Sequence, residues 1–347
     1  MNRYKQNADF LHIGERLLKW YTHFGRDLPF RTTKDPYIIW ISEIIFQQTR
    51  ISQGMAHFER FIARFPDVFT LADAPKEEVL LYWKGLGYYS RALNIHKAAQ
   101  QIVTDFHGNF PSKYEDILTL KGVGKYTASA ISSISFGEDR IAVDGNFYRV
   151  LSRVFADSFD ISSSKAFDYF SGLAHRILPE GRAGDFNQAM MDLGSEICKP
   201  RNPLCEQCPM SEDCLAFQTN SVTNYPVKKS KTKVLEENIS YYFIHYSSRF
   251  LIQQRDQSGI WKNLYEFPDE IDEQDSLQTY HQYTVSHKLS HRKLTITIAS
   301  VELQSTKELE TYAHHKNLVI SDLEDFHNKS FPKPLQNFIE NQFVRRF

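Results

Sequence analysis

At 347 residues, 41% of them hydrophobic and 24% charged, the chain is too long for one ordinary core and is sized for two domains. Lysine plus arginine total 41 against 42 aspartate plus glutamate, a net charge of −1 that excludes a globally basic nucleic-acid binder and leaves any such binding to local patches. No apolar run approaches the roughly 18 residues needed to cross a bilayer, and the polar first nine residues lack the apolar stretch of an export signal, so the expectation is a cytoplasmic protein without membrane contact.

From Asp9 to about Phe217 apolar residues recur at helical spacing, as in Phe10, Leu11, Ile13, Leu17, Leu18 and again in Ile38, Ile39, Ile41, Ile44, Ile45. Breaks fall at Phe65-Pro66-Asp67 and Phe110-Pro111-Ser112. The pattern predicts many short helices. Glu43 sits inside the second run with isoleucines on both flanking turns. Buried there, its carboxyl would titrate high enough to donate a proton near neutral pH, and the competing reading is a solvated helix face.

Leu120-Lys121-Gly122-Val123-Gly124-Lys125-Tyr126 joins two helical patterns. Glycines at 122 and 124 permit a sharp turn that exposes backbone N–H groups at the start of the next helix, where a phosphate oxygen can bind without a cationic side chain. Taken alone, the same residues also suit an ordinary glycine-capped turn. Further on, Val143-Asp144-Gly145-Asn146 sets a carboxylate directly before a helix, where the dipole and local N–H groups would hold Asp144 ionised. A plain N-cap would look the same. Paired with a protonated Glu43, however, Asp144 completes what cleavage of a C1′–N bond requires: one acid to make the base a leaving group, and one anion to stabilise or capture the cationic sugar.

The only four cysteines form Cys198-x6-Cys205-x2-Cys208-x5-Cys214. Such a group is a metal site rather than a scatter of buried thiols. One Cys-x2-Cys pair flanked by longer gaps departs from the two close pairs usual for structural zinc, and the expected cofactor is one [4Fe–4S] cluster. Two disulfides are disfavoured because nothing directs the chain to an oxidising compartment. Residues 219–235 then lose the apolar pattern and suit an extended, basic linker. Beyond it, Ile239–Tyr246, Phe250–Gln254 and Leu294–Ile298 look like strands and Leu335–Phe343 like a closing helix, so residues 236–347 are expected to form an α+β domain.

The run from Trp20 to Thr49, with Arg26-Asp27-Leu28-Pro29-Phe30-Arg31 and Trp40-Ile41-Ser42-Glu43, is similar to the MutY family of adenine glycosylases, within the helix-hairpin-helix DNA glycosylases that carry an iron–sulfur cluster. The resemblance continues through Gly85-Leu86-Gly87-Tyr88-Tyr89, the glycine hairpin, Val143-Asp144-Gly145-Asn146 and Phe186-Asn187-Gln188, and so spans residues 1–218. It implies a helical catalytic domain of six-helix barrel, helix-hairpin-helix and iron–sulfur modules, acting as a monomer on double-stranded DNA to remove adenine opposite 8-oxoguanine or guanine. Glu43 would protonate the adenine, Asp144 would serve as anion or nucleophile, and Tyr126 and Asn146 would support them. Arg26, Phe30, Arg31, Phe46 and Gln188 would line the adenine pocket, where the family usually has Trp at position 30 and commonly Leu or Met at 46. Gln48 and Tyr88 resemble residues that wedge into the duplex as the base is extruded. Gly122, Val123 and Gly124 would meet the DNA backbone, and Lys199 and Arg201 would face phosphates.

Endonuclease III-like relatives carry a lysine at the position of Tyr126, whose amine attacks C1′. Here the lysine is Lys125, turned by about 100° on the helix, which implies a monofunctional glycosylase. The second domain resembles a Nudix-like domain, with Gln254-Arg255-Asp256 and Gly259-Ile260-Trp261 as its opening, yet it lacks the Arg-Glu-x-x-Glu-Glu cluster that holds a hydrolytic metal. Leu289-Ser290-His291 is similar to the Phe-Ser-His loop that reads 8-oxoguanine in the family, and Ser286-His287 is the competing placement.

Overall fold

The computed structural model describes residues 10–229, 234–255, 259–271, 281–289 and 291–344. The chain forms two compact units, one of Met1–Asp73 with Lys97–Lys231 and the other of Ala74–His96 with Thr232–Phe347. No helix among the described residues is long and apolar enough to cross a membrane.

The first unit is helical. In chain order the helices are α1 (Leu11–Phe24), α2 (Pro36–Phe46), α3 (Ile51–Arg64), α4 (Val68–Asp73), α5 (Lys76–Tyr82), α6 (Ser90–Asp105), α7 (Tyr114–Thr119), α8 (Lys125–Phe136), α9 (Gly145–Val154), α10 (Ala166–His175), α11 (Ala183–Asp192) and α12 (Leu215–Gln218). Of these, α5 and the start of α6 count with the second unit. Helix α2 begins where Pro36 presets the first turn and the Asp35 carboxylate accepts the Tyr37 N–H at 2.8 Å. It is apolar around most of its circumference, so Ile39, Trp40, Ile41, Ile44 and Ile45 are all buried, as expected of a helix running through a core. Glu43 is thereby carried into the interior. Helix α8 stops at Gly137, whose left-handed backbone (φ 73°) lets the Gly137 and Glu138 N–H groups close onto the Ser133 and Ser132 carbonyls.

The stretch expected to be an extended linker is docked instead, as far as residue 229. The buried Arg153 donates from Nε to the Val222 and Tyr225 carbonyls at 3.2 and 3.3 Å. Ile161 N–H reaches Val227 O at 3.0 Å, and Lys229 N–H reaches the Asp160 carboxylate at 3.2 Å. Composition announced a polar segment correctly, but the partners of its carbonyls lie some seventy residues earlier and leave no local mark.

The second unit is built on a mixed sheet of β1 (Leu235–Tyr246), β2 (Arg249–Gln254), β3 (Tyr265–Glu266), β4 (His281–Lys288), β5 (Arg292–Glu302) and β6 (Val319–Asp322). Its order is β3-β2-β1-β5-β4, with β6 pairing β2. Strand β1 runs parallel to β5 in the register Leu235↔Arg292 to His245↔Glu302, and the other pairings are antiparallel. Both faces are covered. On one, Phe243 lies 4.8–5.4 Å from the rings of Phe250, Phe267, Phe338 and Phe343. On the other, Ile244, Leu251 and Val301 pack under Leu309 and Ala313 of α13 (Thr306–Lys316). Two shorter helices, α14 (Leu323–His327) and α15 (Lys333–Phe338), complete the unit. Covering both faces is why the C-terminal half of β1 is apolar without strict alternation. Residues 74–96 join this unit through Lys84, whose Nζ donates to the His327 and Lys329 carbonyls.

Candidate active site

Helices α2, α8, α9 and α11 converge on an open pocket of ≈ 860 Å³ in the helical unit, within the size range of small-molecule sites. Glu43, Tyr126, Asp144 and Asn146 all line it, with Phe30, Phe46 and Gln188. Tyr126 Oη donates to Glu43 Oε2 at 2.7 Å and also meets the Met191 sulfur at 3.7 Å. Burial pushes the Glu43 carboxyl up to about 6, aided by the nearby Asp144 charge and opposed by the Tyr126 hydroxyl and Arg31. Burial together with Glu43 and Asp144 drives Tyr126 well above its ordinary value, so its hydroxyl remains a donor.

Asp144 is the N-cap of α9. Its Oδ1 accepts the Asn146 and Phe147 N–H groups, each at 2.9 Å, and its Oδ2 accepts the Asn146 side-chain amide at 2.7 Å. Burial raises the Asp144 pKa and outweighs these three donors and Arg149, so the net direction is upward, opposite to what the helix start alone suggested. Asn146 is fixed in turn by Arg149, one turn along α9, whose Nη2 donates to Asn146 Oδ1 at 2.8 Å and to Gly194 O at 2.7 Å. Arg149 Nε reaches the Cys198 carbonyl at 2.7 Å. A side chain at Gly194 would come within 2.5 Å of Asn146, so the close approach there requires glycine.

Arg26 and Arg31 do not stand free beside the pocket. Both grip the fully buried Asp192 at the end of α11: Arg26 Nε donates to Oδ1 at 2.6 Å, and Arg31 donates from Nη1 and Nη2 at 2.6 and 2.8 Å. Burial alone would raise the Asp192 carboxyl, but the two guanidinium groups hold it below the usual range. Tyr21 Oη donates to Gln188 Oε1 at 2.7 Å, which turns the Gln188 amide nitrogen away from the tyrosine. Asp192, Arg149, Tyr21 and Met191 are the site residues that sequence patterns did not single out. Only Arg149 left a signal, three residues after Asn146 on the same helix face.

Lys125 points elsewhere: its Nζ pairs with Asp168 at 2.7 Å, and it is absent from the pocket lining. In the hairpin, Gly122 adopts the left-handed region (φ 78°), while Gly124 is extended and caps α8 where a side chain would meet nothing. Val123 is buried and gives its N–H to Leu120 O at 3.0 Å, so it closes the turn rather than offering that donor outward. Gln48 and Tyr88 are both exposed non-glycine residues in the left-handed region, with φ 58° and 47°, a conformation uncommon for such side chains. Gln48 lies on the pocket wall. Tyr88, in the other unit, is presented by a turn pinned through Trp83 Nε1 to Gly87 O at 3.0 Å and Arg91 Nη2 to Leu86 O at 3.1 Å. Lys199 is half-buried and Arg201 exposed.

The four cysteines line a second, smaller cavity closed by Val150 and Val154 of α9 and by Met210 and Phe217. Arg153 Nη1 lies 3.3 Å from Cys198 Sγ, placing a cation beside the thiols. Four soft donors around one apolar hollow fit an iron–sulfur group. In the second unit, Leu289 N–H bonds to Arg292 O at 2.8 Å, while His291 is exposed and gives its carbonyl to Leu235 N–H at 2.9 Å. Ser290 lies outside the described residues. His287 of the competing placement is half-buried, 6.0 Å from the Trp261 ring, and burial lowers its pKa.

Comparisons with known proteins agree in kind. Residues 41–173 match the HhH-GPD superfamily of base excision DNA repair proteins, residues 198–214 the iron–sulfur binding domain of endonuclease III, and residues 240–341 a NUDIX domain. An adenine DNA glycosylase of Buchnera aphidicola from Schizaphis graminum is 33% identical over 94% of this chain and 98% of its own. The human adenine DNA glycosylase is 31% identical over 85% of this chain and 68% of its own. Among solved structures, a thermostable thymine-DNA glycosylase aligns with a TM-score of 0.55 at 31% identity, covering 60% of this chain and 96% of that one. An endonuclease III–DNA complex, at 21% identity and a TM-score of 0.52, covers 60% of this chain and 95% of that one and shares the helical fold. Identity at this level over nearly the full length makes the chain a member of the adenine DNA glycosylase family, a base excision repair enzyme of the HhH-GPD superfamily with an iron–sulfur loop and a Nudix-like second domain.

Proposed function

We propose that the enzyme is a monofunctional glycosylase that removes adenine opposite 8-oxoguanine or guanine in duplex DNA. The observation that carries this is the pairing of a carboxyl lifted to about 6, Glu43, with an N-cap carboxylate, Asp144, across one pocket. Protonated Glu43 gives its proton to the flipped adenine, the C1′–N bond breaks with its electron pair leaving on the base, and the cation at C1′ meets the Asp144 carboxylate, which stabilises or captures it. Water then adds at C1′ and returns a proton to Glu43. Tyr126 holds Glu43 in position, and Asn146 does the same for Asp144.

The ion pair of Lys125 with Asp168 supports the absence of a lyase step, since no lysine among the described residues lines the pocket. For the cofactor we assign a [4Fe–4S] cluster to Cys198, Cys205, Cys208 and Cys214. The four thiols share one cavity, and four thiolates are the ligand set of such a cluster. When bound, it would supply redox-capable iron and a rigid brace for the loop bearing Lys199 and Arg201. Leu289, Ser290 and His291 are assigned to the 8-oxoguanine, with Gln48, Tyr88, Gly122 and Gly124 on the surrounding DNA.

The test is single-turnover incubation with duplexes carrying adenine opposite 8-oxoguanine, guanine or thymine, scored as alkali-labile sites. Release from the two mispairs but not from the adenine–thymine pair, lost in Glu43→Gln, is expected. A borohydride-trapped adduct that depends on Lys125 would overturn the monofunctional assignment.

A further inference from the structure

Phe46 forms part of the apolar wall of the base pocket, and the structure contains the space that accepts its ring. Phe46 closes α2 and lines the pocket beside Phe30, with ring centroids 4.9 Å apart. Behind them stands Phe58 of α3, 5.6 Å from Phe30 and 6.1 Å from Phe46, itself buried and outside the pocket lining. One turn before Phe58 on α3 lies Gly54, also buried. A Cβ at Gly54 would fall 2.7 Å from Phe46 Cε1, 3.0 Å from Cδ1 and 3.2 Å from Thr49 Cγ2. These are overlaps with a ring already bounded by two other rings, so the clash cannot be absorbed by a flexible chain end. A displaced Phe46 must press on Phe30 or enter the pocket, and either movement reshapes the wall against which a purine lies.

Gly54 is not in the left-handed region, so no backbone strain calls for glycine, and in mid-helix glycine is a poor choice by propensity. Its remaining physical use is the recess. We propose that Gly54 is a positioning residue for base recognition: it makes the seat in which Phe46, braced by Phe58 and Phe30, sets the depth of the adenine pocket. The proposal rests on the assignment of this pocket to adenine, and it adds a position that never touches the base.

The experiment compares wild type, Gly54→Ala, Phe46→Leu and the double variant Gly54→Ala/Phe46→Leu. Three readouts are used: single-turnover adenine release from an adenine–8-oxoguanine duplex, affinity for the same duplex carrying an abasic product analogue, and thermal melting. Gly54→Ala is expected to slow release about ten- to a hundredfold, the scale of an ångström-sized misplacement, with product-duplex affinity unchanged. In the double variant, where the shorter side chain clears the new methyl group, release should return to the rate of Phe46→Leu alone. Failure of Gly54→Ala to fold, with folding restored in the double variant, would carry the same meaning. Wild-type release from Gly54→Ala, or a loss that Phe46→Leu does not relieve in folding or rate, would overturn the proposal. Absence of release by the wild type would instead overturn the assignment of the pocket to adenine, and with it the role given to the recess.

Discussion

The base pocket and the pair Leu289 and His291 handle polar groups in opposite ways. In the pocket the acids and their neighbours are each oriented by another group: Asp144 by three donors, Asn146 by Arg149, Glu43 by Tyr126, and both Arg26 and Arg31 by Asp192. In the second unit, Leu289 and His291 are tied through their backbones while the imidazole stays exposed. Catalysis demands groups fixed before charge develops, whereas recognition of an arriving base tolerates side chains that settle on contact. Changes in the pocket should therefore act on rate and stability together, and changes at Leu289 or His291 on selectivity alone.

The largest effect is expected from Glu43→Gln, which removes the transferable proton. Single-turnover release should fall by about 10²–10⁴-fold, and in wild type the rate should decline as pH rises through about 6, where Glu43 loses its proton. Next is Asp192→Asn, which leaves two guanidinium groups without their buried anion. Chemical denaturation should show a loss of about 3–5 kcal/mol, a far larger change than any surface ion pair would give.

A third prediction runs against the usual direction. Because folding raises the Glu43 pKa from 4.5 to about 6, its favourable contribution is fully present below about 4.5 and is lost as pH rises through 6. Glu43→Gln should then be more stable than wild type in mildly alkaline buffer, by about 2 kcal/mol, with the advantage vanishing in acid. Melting curves across pH would check it, and a mutant less stable at every pH would contradict the buried-acid account. Arg149→Met should slow release about tenfold by loosening Asn146, a rise of about 1.4 kcal/mol in the barrier. The smallest effect belongs to the second unit: Leu289→Phe should improve the preference for 8-oxoguanine over guanine by a few-fold, about 1 kcal/mol of added stacking, without altering the rate on bound substrate.

What the sequence revealed was whatever depends on near neighbours. The cysteine cluster, the glycine turn at Gly122, the Asp144 N-cap and the helix that carries Glu43 all depend on residues close in sequence. Three of the six described strands in the second unit were equally readable, β5 through its two-residue period and β1 and β2 through apolar and aromatic content, whereas β3, β4 and β6 carried no such mark. The Asp192 fork was hidden because its partners lie about 160 residues away in sequence, at separations of 166 and 161. Left-handed Gln48 and Tyr88 were hidden for another reason: nothing about glutamine or tyrosine announces a positive φ that only the surrounding turn imposes.

The recess at Gly54 also constrains the routes by which such a pocket can change. A ring at position 46 and a Cβ at position 54 overlap unless one of them shifts, so the two sites are not free to vary independently. A lineage with a larger residue at 54 reaches the present arrangement by shedding that side chain before the ring arrives. Departure runs in reverse, with the ring lost first. The order of two substitutions is thus written into a distance of 2.7 Å, and a library that samples each position alone would score as forbidden a pair of changes that are acceptable together.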